Sequence, residues 1–241
     1  TGFYEQRSSV DQRLLDLASD RAAYRRSESM PHIEAMTQEL ASSLFYADSA
    51  TDPKKPKGLA ARFNVRGGGD AGNQVIHGGG TGDDNTSIWF VTWGENSVHG
   101  LYPKGSNGGI QQMDRGSQRV TDASGDAYYV EEEEFKIHCG FAVKGWRKVA
   151  RIANIDMSDV AAGTVDLYGF MRSAYYKLHT RRVGKIDDQV SPGRTVIYCN
   201  RDILEALDTL ATNAGNSDSF IRLRPMEIQG EEVMTYRGIP I

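Results

Sequence analysis

The residues best suited to chemistry include four consecutive glutamates that run from Glu131 to Glu134. Neighbouring carboxylates can serve as general acids and bases or as ligands for hard metal ions. On a β-strand, however, successive side chains point to opposite faces, so at most two of the four could share one site. We therefore favour a solvated strand or a subunit-contact surface over a metal or acid–base site.

A second candidate is the glycine-rich stretch of residues 66–85, which holds eight glycines and includes the sequence HGGG at residues 77–80. HGGG resembles the oxyanion loop of some hydrolases, but the G-x-S-x-G nucleophile elbow does not accompany it. Neither glycine cluster matches a phosphate loop or a dinucleotide-binding fingerprint. The pattern favours a flexible loop or irregular hairpin over a site for phosphate or an oxyanion.

The remaining reactive residue types are scattered. No two histidines stand at metal-ligand spacing from each other or from a cysteine; they are His32, His77, His99, His138 and His179. Cys139 and Cys199 lie in apolar, strand-like contexts and are interpreted as free thiols in a reducing compartment. Turns are expected at Asp83-Asp84, Asp187-Asp188 and Asn107-Gly108; a covalent link from Lys104 to an asparagine of another subunit is disfavoured. The sequence therefore predicts no catalytic, cofactor-binding or metal-binding residues and no enzyme activity.

Composition narrows the class of protein further. The 241 residues can bury a core without disulfides or metals. The net charge of −4 argues against a surface that binds nucleic acid generally, but it does not exclude a local basic patch. No apolar run reaches the roughly 18 residues of a membrane span.

Helical patterns are clearest in the first 50 residues. Residues 11–18 predict a short helix with Asp11 as N-cap and an apolar side formed by Leu14, Leu15, Leu17 and Ala18. Residues 20–47 predict a long helix with an apolar stripe of Ile33, Met36, Leu40 and Leu44. Pro31 suits a first helical turn and so indicates a start or a kink. Further helices are expected after Ser158 and after Asn200.

Strands should position the remaining segments. Residues 88–93, which contain two of the three tryptophans, predict a buried strand, and residues 128–143, 146–155, 195–199, 220–223 and 233–241 are also rich in strand-forming types. Residues 104–125 are predicted to be turn-rich, and residues 48–57 to be a linker. Together these elements define an α+β protein.

Several blocks of sequence carry a family resemblance. IEAMTQELASSLFYAD, GLAARFN and NTSIWFVTWGENSVHGLYPKGS, followed by FAVKGWRKVARIANID, TVIYCNRDILEALD and EVMTYRGIPI, resemble the major capsid proteins of short-tailed bacteriophages. The resemblance covers nearly the whole chain, in order. It implies the Hong Kong 97-like capsid fold, and these motifs are structural rather than catalytic.

The resemblance implies a specific organisation of the chain. Residues 1–57 would hold the returning strand of an extended loop and the long spine helix, and residues 126–156 and 225–241 would complete a peripheral domain. Residues 58–125 and 157–224 would form an axial domain. Most of the extended loop and an N-terminal arm are expected before Thr1, and a short segment after Ile241.

The implied function is self-assembly into the icosahedral head shell that encloses the double-stranded DNA of a tailed bacteriophage (Caudoviricetes), built in the bacterial host cytoplasm. Expected partners are further copies in pentamers and hexamers, decoration, scaffolding and portal proteins, and DNA without sequence specificity; no membrane partner is expected. Because residues 48–57 and 66–85 are dense in proline and glycine, we expect these segments to absorb the different curvatures of pentamers and hexamers, and the turn at residues 102–105 is a candidate subunit contact. The alternatives are an encapsulin-type compartment and a soluble enzyme or binding domain that uses HGGG and Glu131 to Glu134.

Overall fold

A computed structural model describes residues 2–105, 108–178, 193–213, 223–228 and 230–241. The chain divides into two compact units, Thr1–Arg62 with Gly100–Phe141, and Phe63–His99 with Ala142–Ile241. The predicted features at Asn107, His179, Asp187-Asp188 and residues 220–222 lie outside the described residues.

The first unit is built on a three-stranded antiparallel sheet. Its strands are β1 (Gly2–Asp11), β5 (Gln111–Thr121) and β6 (Ala127–Val143, in this unit up to Phe141). β6 is central, because Lys136 stands opposite Glu5 of β1 on one side and opposite Gln111 of β5 on the other. A tight turn joins β5 to β6, and the Asp122 carboxylate accepts the Ser124 and Asp126 amides at 2.8 and 2.9 Å. The strand expected within residues 1–57 and the strand expected at residues 128–143 are therefore confirmed as strands.

Two helices follow β1. α1 (Gln12–Leu17) begins at the predicted cap Asp11, and α2 (Arg21–Tyr46) begins at Asp20, whose carboxylate accepts two backbone amides at 3.0 Å. Met36 is buried with Tyr4, Phe135 and Ile137, while Ile33 and Leu40 pack around them. Three members of the predicted stripe, Ile33, Met36 and Leu40, are therefore confirmed as the contact of the long helix with the sheet, while Leu44 is half-buried outside this cluster.

Two details of these helices differ from the prediction. Pro31 lies within α2 instead of in its first turn, because the helix already begins at the Asp20 cap. Proline has no backbone N–H, so α2 lacks one internal hydrogen bond at this position. In α1 only Leu15 is buried; Leu14 and Leu17 are 51% and 84% exposed, so the predicted apolar side is not covered.

The second unit contains a mixed sheet in the order β8 (Arg194–Tyr198), β3 (Asn85–Trp93), β7 (Val149–Asp156) and β2 (Val75–His77). β3 runs antiparallel to β7 and β8, and β2 runs parallel to β7. At its end β3 also pairs in parallel with a further short strand, where Trp93 stands opposite Val98. Flanked on both sides, β3 is buried from Ser87 to Thr92, as its apolar sequence predicts. Trp89 is buried at 2% exposure, whereas Trp93 is half-buried and donates its indole N–H to the Tyr198 hydroxyl at 2.8 Å.

The other elements of this unit complete its core. They are α3 (Gly69–Gly72), β4 (Val98–Leu101, of which the first two residues belong here), a 3₁₀ turn at Trp146–Lys148, α4 (Met157–Ala161), α5 (Leu167–Lys177), α6 (Arg201–Asn213), β9 (Leu223–Ile228), β10 (Glu231–Tyr236) and β11 (Ile239–Pro240). β9, β10 and β11 form a second, antiparallel sheet. Phe90, Ile152, Met171, Leu207 and Tyr236 lie at the centre of the apolar cluster.

Two predicted elements need correction. The helix expected after Ser158 is two helices, α4 and α5, whose N-caps are Asp156 and Asp166, with Gly163 at φ +73° between them. Residues 104–125, predicted to be turn-rich, contain the long strand β5. Its residues are exposed on both faces, so the alternation of apolar and polar residues that marks a half-buried strand is missing. The predicted cap Asn200 is confirmed, since its side chain accepts the Ile203 amide at 2.8 Å.

Candidate functional site

The four glutamates lie in the middle of β6 and alternate between the two faces of the sheet, as predicted. Glu131 and Glu133 face α2. Arg25 of α2 reaches both of them, at 2.8 Å from the Glu131 carboxylate and 3.1 Å from the Glu133 carboxylate. Arg21 also pairs with Glu131, and the Ser29 hydroxyl donates to Glu133. These two carboxylates therefore tie the helix to the strand.

Glu132 and Glu134 point to the opposite face of the sheet. Glu134 is 1% exposed and pairs with a cation from each of the three strands: Arg7 of β1 at 3.4 Å, Arg115 of β5, and Lys136 of β6 at 2.7 Å. Hydrogen bonds from Lys136 and Arg115 lower the pKa of Glu134 to about 2, so that it is ionised at neutral pH. Glu132 lies 3.4 Å from Arg7.

This geometry argues against two interpretations of the run, as an acid–base site and as a solvated strand. Each of the four carboxylates is paired with at least one arginine, and a carboxylate with a pKa near 2 is a poor proton acceptor at neutral pH. The run is also not a solvated strand, because its side chains are buried or half-buried. It is a set of ion pairs that holds β1, β5, β6 and α2 together.

Sequence reasoning missed the cationic partners. Arg21 and Arg25 stand four residues apart on one helix face, a spacing that suits contact with alternate residues of a strand. That signal was available. Arg7 and Arg115 were not predictable, because their approach to Glu134 depends on strand register and on the bulge in β5 between Asp114 and Gly116.

The HGGG loop follows β2 in the second unit, and its amides are used within the fold. The Gly78 amide donates to the Ala153 carbonyl at 2.7 Å, the Gly79 amide to the His77 ring at 2.8 Å, and the Gly80 amide to the Asn154 carbonyl at 2.8 Å. An oxyanion hole needs such amides directed at the ligand. In this loop they are directed at the protein.

Close packing explains two of these glycines. A Cβ atom at Gly78 would lie 2.7 Å from the Asn154 carbonyl oxygen, and one at Gly80 would lie 2.9 Å from the same atom. Asn154 itself has φ +57°, which turns its carbonyl toward the loop. The glycines thus permit close approach of two backbone segments, in addition to any flexibility that the sequence predicts.

The other candidate residues stay apart. Cys139 and Cys199 are free thiols, and burial raises the pKa of Cys199 to about 11, which makes it unreactive. Within the described residues, no group of three or more histidine, cysteine or acidic side chains is placed to hold a metal ion. Among the same residues, no helix combines the length and the apolar character needed to cross a bilayer.

The fold and these contacts define a structural protein, in which the charged and glycine-rich motifs stabilise strands, helix and loop. The chain belongs to the family described as major capsid protein GP7, which matches residues 1–241. The structure of this chain is similar to that of a chain of bacteriophage Epsilon15, which was solved by cryo-EM. The two chains share 29% sequence identity, and their TM-score is 0.71. The match covers 100% of this chain and 70% of the Epsilon15 chain. This chain has the Hong Kong 97-like fold, as the resemblance implies.

A second similar structure is the holo-SrpI encapsulin complex from Synechococcus elongatus. That match has 15% identity and a TM-score of 0.47, and covers 64% of this chain and 74% of that chain. No curated protein sequence matches the chain.

Proposed function

We propose that this major capsid protein encloses double-stranded DNA in an icosahedral phage head and performs no catalytic step of its own. The observation that supports the absence of a catalytic step is that the polar groups of both candidate sites bind other groups of the protein itself. All four glutamates are ion-paired, and the three HGGG amides donate to protein acceptors. The family and the similarity to the Epsilon15 capsid support the first part.

Assembly would proceed through heterologous contacts between identical subunits, which close into five- and six-membered rings. Each pairwise contact can be modest, near or below about 1,600 Å² in total, because several neighbours hold every subunit at once. The net charge of −4 suits a wall that encloses DNA without binding it tightly. Tyr102, 62% exposed in the turn before Gly105, suits the proposed subunit contact at residues 102–105.

We also propose the assignment of peripheral and axial domains. A long helix packed on long strands supports placing residues 1–57 and the β6 part of residues 126–156 in the peripheral domain. Because β5 pairs with β6 along its length, residues 111–121 suit the peripheral domain better than the axial one. Decoration, scaffolding and portal proteins remain expected partners, with assembly in the bacterial cytoplasm.

The contents of assembled particles test the proposal. Particles would be purified from phage-infected bacteria, treated with nuclease, and then opened. Protected double-stranded DNA of uniform length is the expected content. A protein cargo without DNA would instead indicate an encapsulin-type compartment, and turnover of ester or phosphoester substrates by particles would contradict the non-enzymatic part.

A further inference from the structure

The short helix α1 presents apolar side chains to solvent. Leu15 is 1% exposed and anchors the helix, but Leu14 and Leu17 are 51% and 84% exposed. Asp16 is paired with Arg21 at 3.0 Å, while Arg13 is exposed. Since Arg13 and Leu17 are separated by four residues and Leu14 and Leu17 by three, all three lie along one side of the helix. The result is an apolar knob with a positive charge beside it.

The second unit contains an apolar cavity of about 440 Å³ between α4 and α6. Met157, Val160, Val165 and Leu210 contribute its apolar wall, and two exposed carboxylates, Asp202 and Glu205, line it as well. Its volume lies within the range of ligand pockets, about 300–1,000 Å³. The cavity therefore combines an apolar interior with negative charge, the complement of the α1 knob.

We propose that Leu14 and Leu17 of one copy insert into the α4–α6 cavity of a second copy, with Arg13 placed against Asp202 and Glu205. The inference rests on the proposed function, because it requires many copies in contact. Charge complementarity selects the second copy as the occupant. The contact uses different surfaces on the two copies, as heterologous contacts in rings and shells require, and buried leucines with a charged rim are a common interface anatomy.

Mixed cysteine variants test the contact directly. Whole capsid protein carrying Leu17→Cys would be mixed with protein carrying Val160→Cys, assembled, and exposed to mild oxidation. Disulfide-linked dimers should form at least tenfold more than with a control pair, Leu17→Cys and Glu227→Cys, because Glu227 is an exposed residue of the second unit that does not line the cavity. Unsubstituted protein would report any linkage through Cys139 or Cys199.

Charge reversal supplies an independent readout. In the Leu17→Cys and Val160→Cys mixture, Arg13→Glu on the first protein should lower the dimer yield about tenfold, as should Asp202→Lys with Glu205→Lys on the second. Combining the reversals should restore the yield to within about threefold. Normal shells with no dimers above the control, or no restoration by the combined reversals, would overturn the docking and leave the capsid function intact. If unsubstituted protein forms no shells, the proposed function fails, and the docking with it.

Discussion

Glu134 is the most constrained ionisable residue in the first unit. Its carboxylate is 1% exposed, and cations from β1, β5 and β6 surround it. Breaking a buried ion pair by removing one partner leaves the other charges uncompensated, which is more costly than the pair itself is stabilising. The residue therefore locks the three strands in register.

Stability at acid pH should report this role. Because Lys136 and Arg115 hold the pKa of Glu134 at about 2, below its ordinary value of 4.5, the stabilisation is complete above about pH 4.5 and disappears as the pH falls toward 2. Glu134→Gln should lower the urea midpoint at pH 7. It should also flatten the loss of stability between pH 4.5 and pH 2, because the titrating group is gone.

Glu132→Gln is the matched control, since Glu132 lies on the same face and contacts Arg7 at 3.4 Å. It should lower the urea midpoint at pH 7 less than Glu134→Gln does, because Glu132 pairs with one arginine whereas Glu134 pairs with three cations. Equal slopes for wild type and Glu134→Gln would contradict the structural role of Glu134.

Gly78 tests the close packing of the HGGG loop. In Gly78→Ala the new Cβ would lie 2.7 Å from the Asn154 carbonyl oxygen, so the variant should lose about 1–3 kcal/mol of unfolding free energy. Gly100→Ala meets nothing within 4 Å and should change stability by less than about 0.5 kcal/mol. Chemical unfolding of both variants measures the difference, and a neutral Gly78→Ala would show that the loop is free to shift.

At the scale of elements, the apolar stripe of α2 is the main support of the first unit. Leu40 packs with Met36 against Phe135 and Ile137, so Leu40→Asp places a charge against an apolar cluster. The variant should lose about 3 kcal/mol or more and abolish folded capsomers. Soluble yield and sedimentation of assembled particles measure this outcome.

Ser42→Asp provides the control on the same helix, because Ser42 is exposed. It should assemble like wild type. Shells at normal yield from Leu40→Asp would refute the packing role of the stripe.

Elements with a strong apolar period could be predicted from the sequence, and the others could not. The 3.6-residue period of α2 and the unbroken apolar run of β3 gave both elements, to within a few residues at their ends. β5 was not predicted because its side chains are exposed on both faces, which leaves pairing with β6 as the feature that defines the strand. α4 and α5 appeared as one helix because the pattern continues through the turn at Gly163.

The same limit applies to the candidate site. Alternation along β6 follows from strand geometry, and so does the conclusion that the four glutamates could not act together. Their pairing with Arg7 and Arg115 comes from tertiary register, which a single sequence does not encode locally, whereas the four-residue spacing of Arg21 and Arg25 was visible in the sequence. Likewise, the sequence shows the three glycines of HGGG, but it does not show that the Asn154 carbonyl packs against them.

At the scale of the whole molecule, the proposed adaptation to curvature concerns residues 48–57 and 66–85. Gly67, Gly69 and Gly79 have positive φ and open space around them, whereas Gly72 and Gly78 are tightly packed. Movement between pentamers and hexamers should therefore concentrate at the open glycines. Superposition of non-equivalent subunits from one shell measures it, and superimposable loops would contradict the hypothesis.

The central claim is that this chain is a structural shell subunit, and cryo-EM of the assembled whole protein tests it most directly. We predict closed icosahedral particles in which every subunit position fits this fold, with Glu134 between Arg7, Arg115 and Lys136. A discrete small oligomer, with the HGGG loop or the glutamates opened around a bound ligand, would contradict the account.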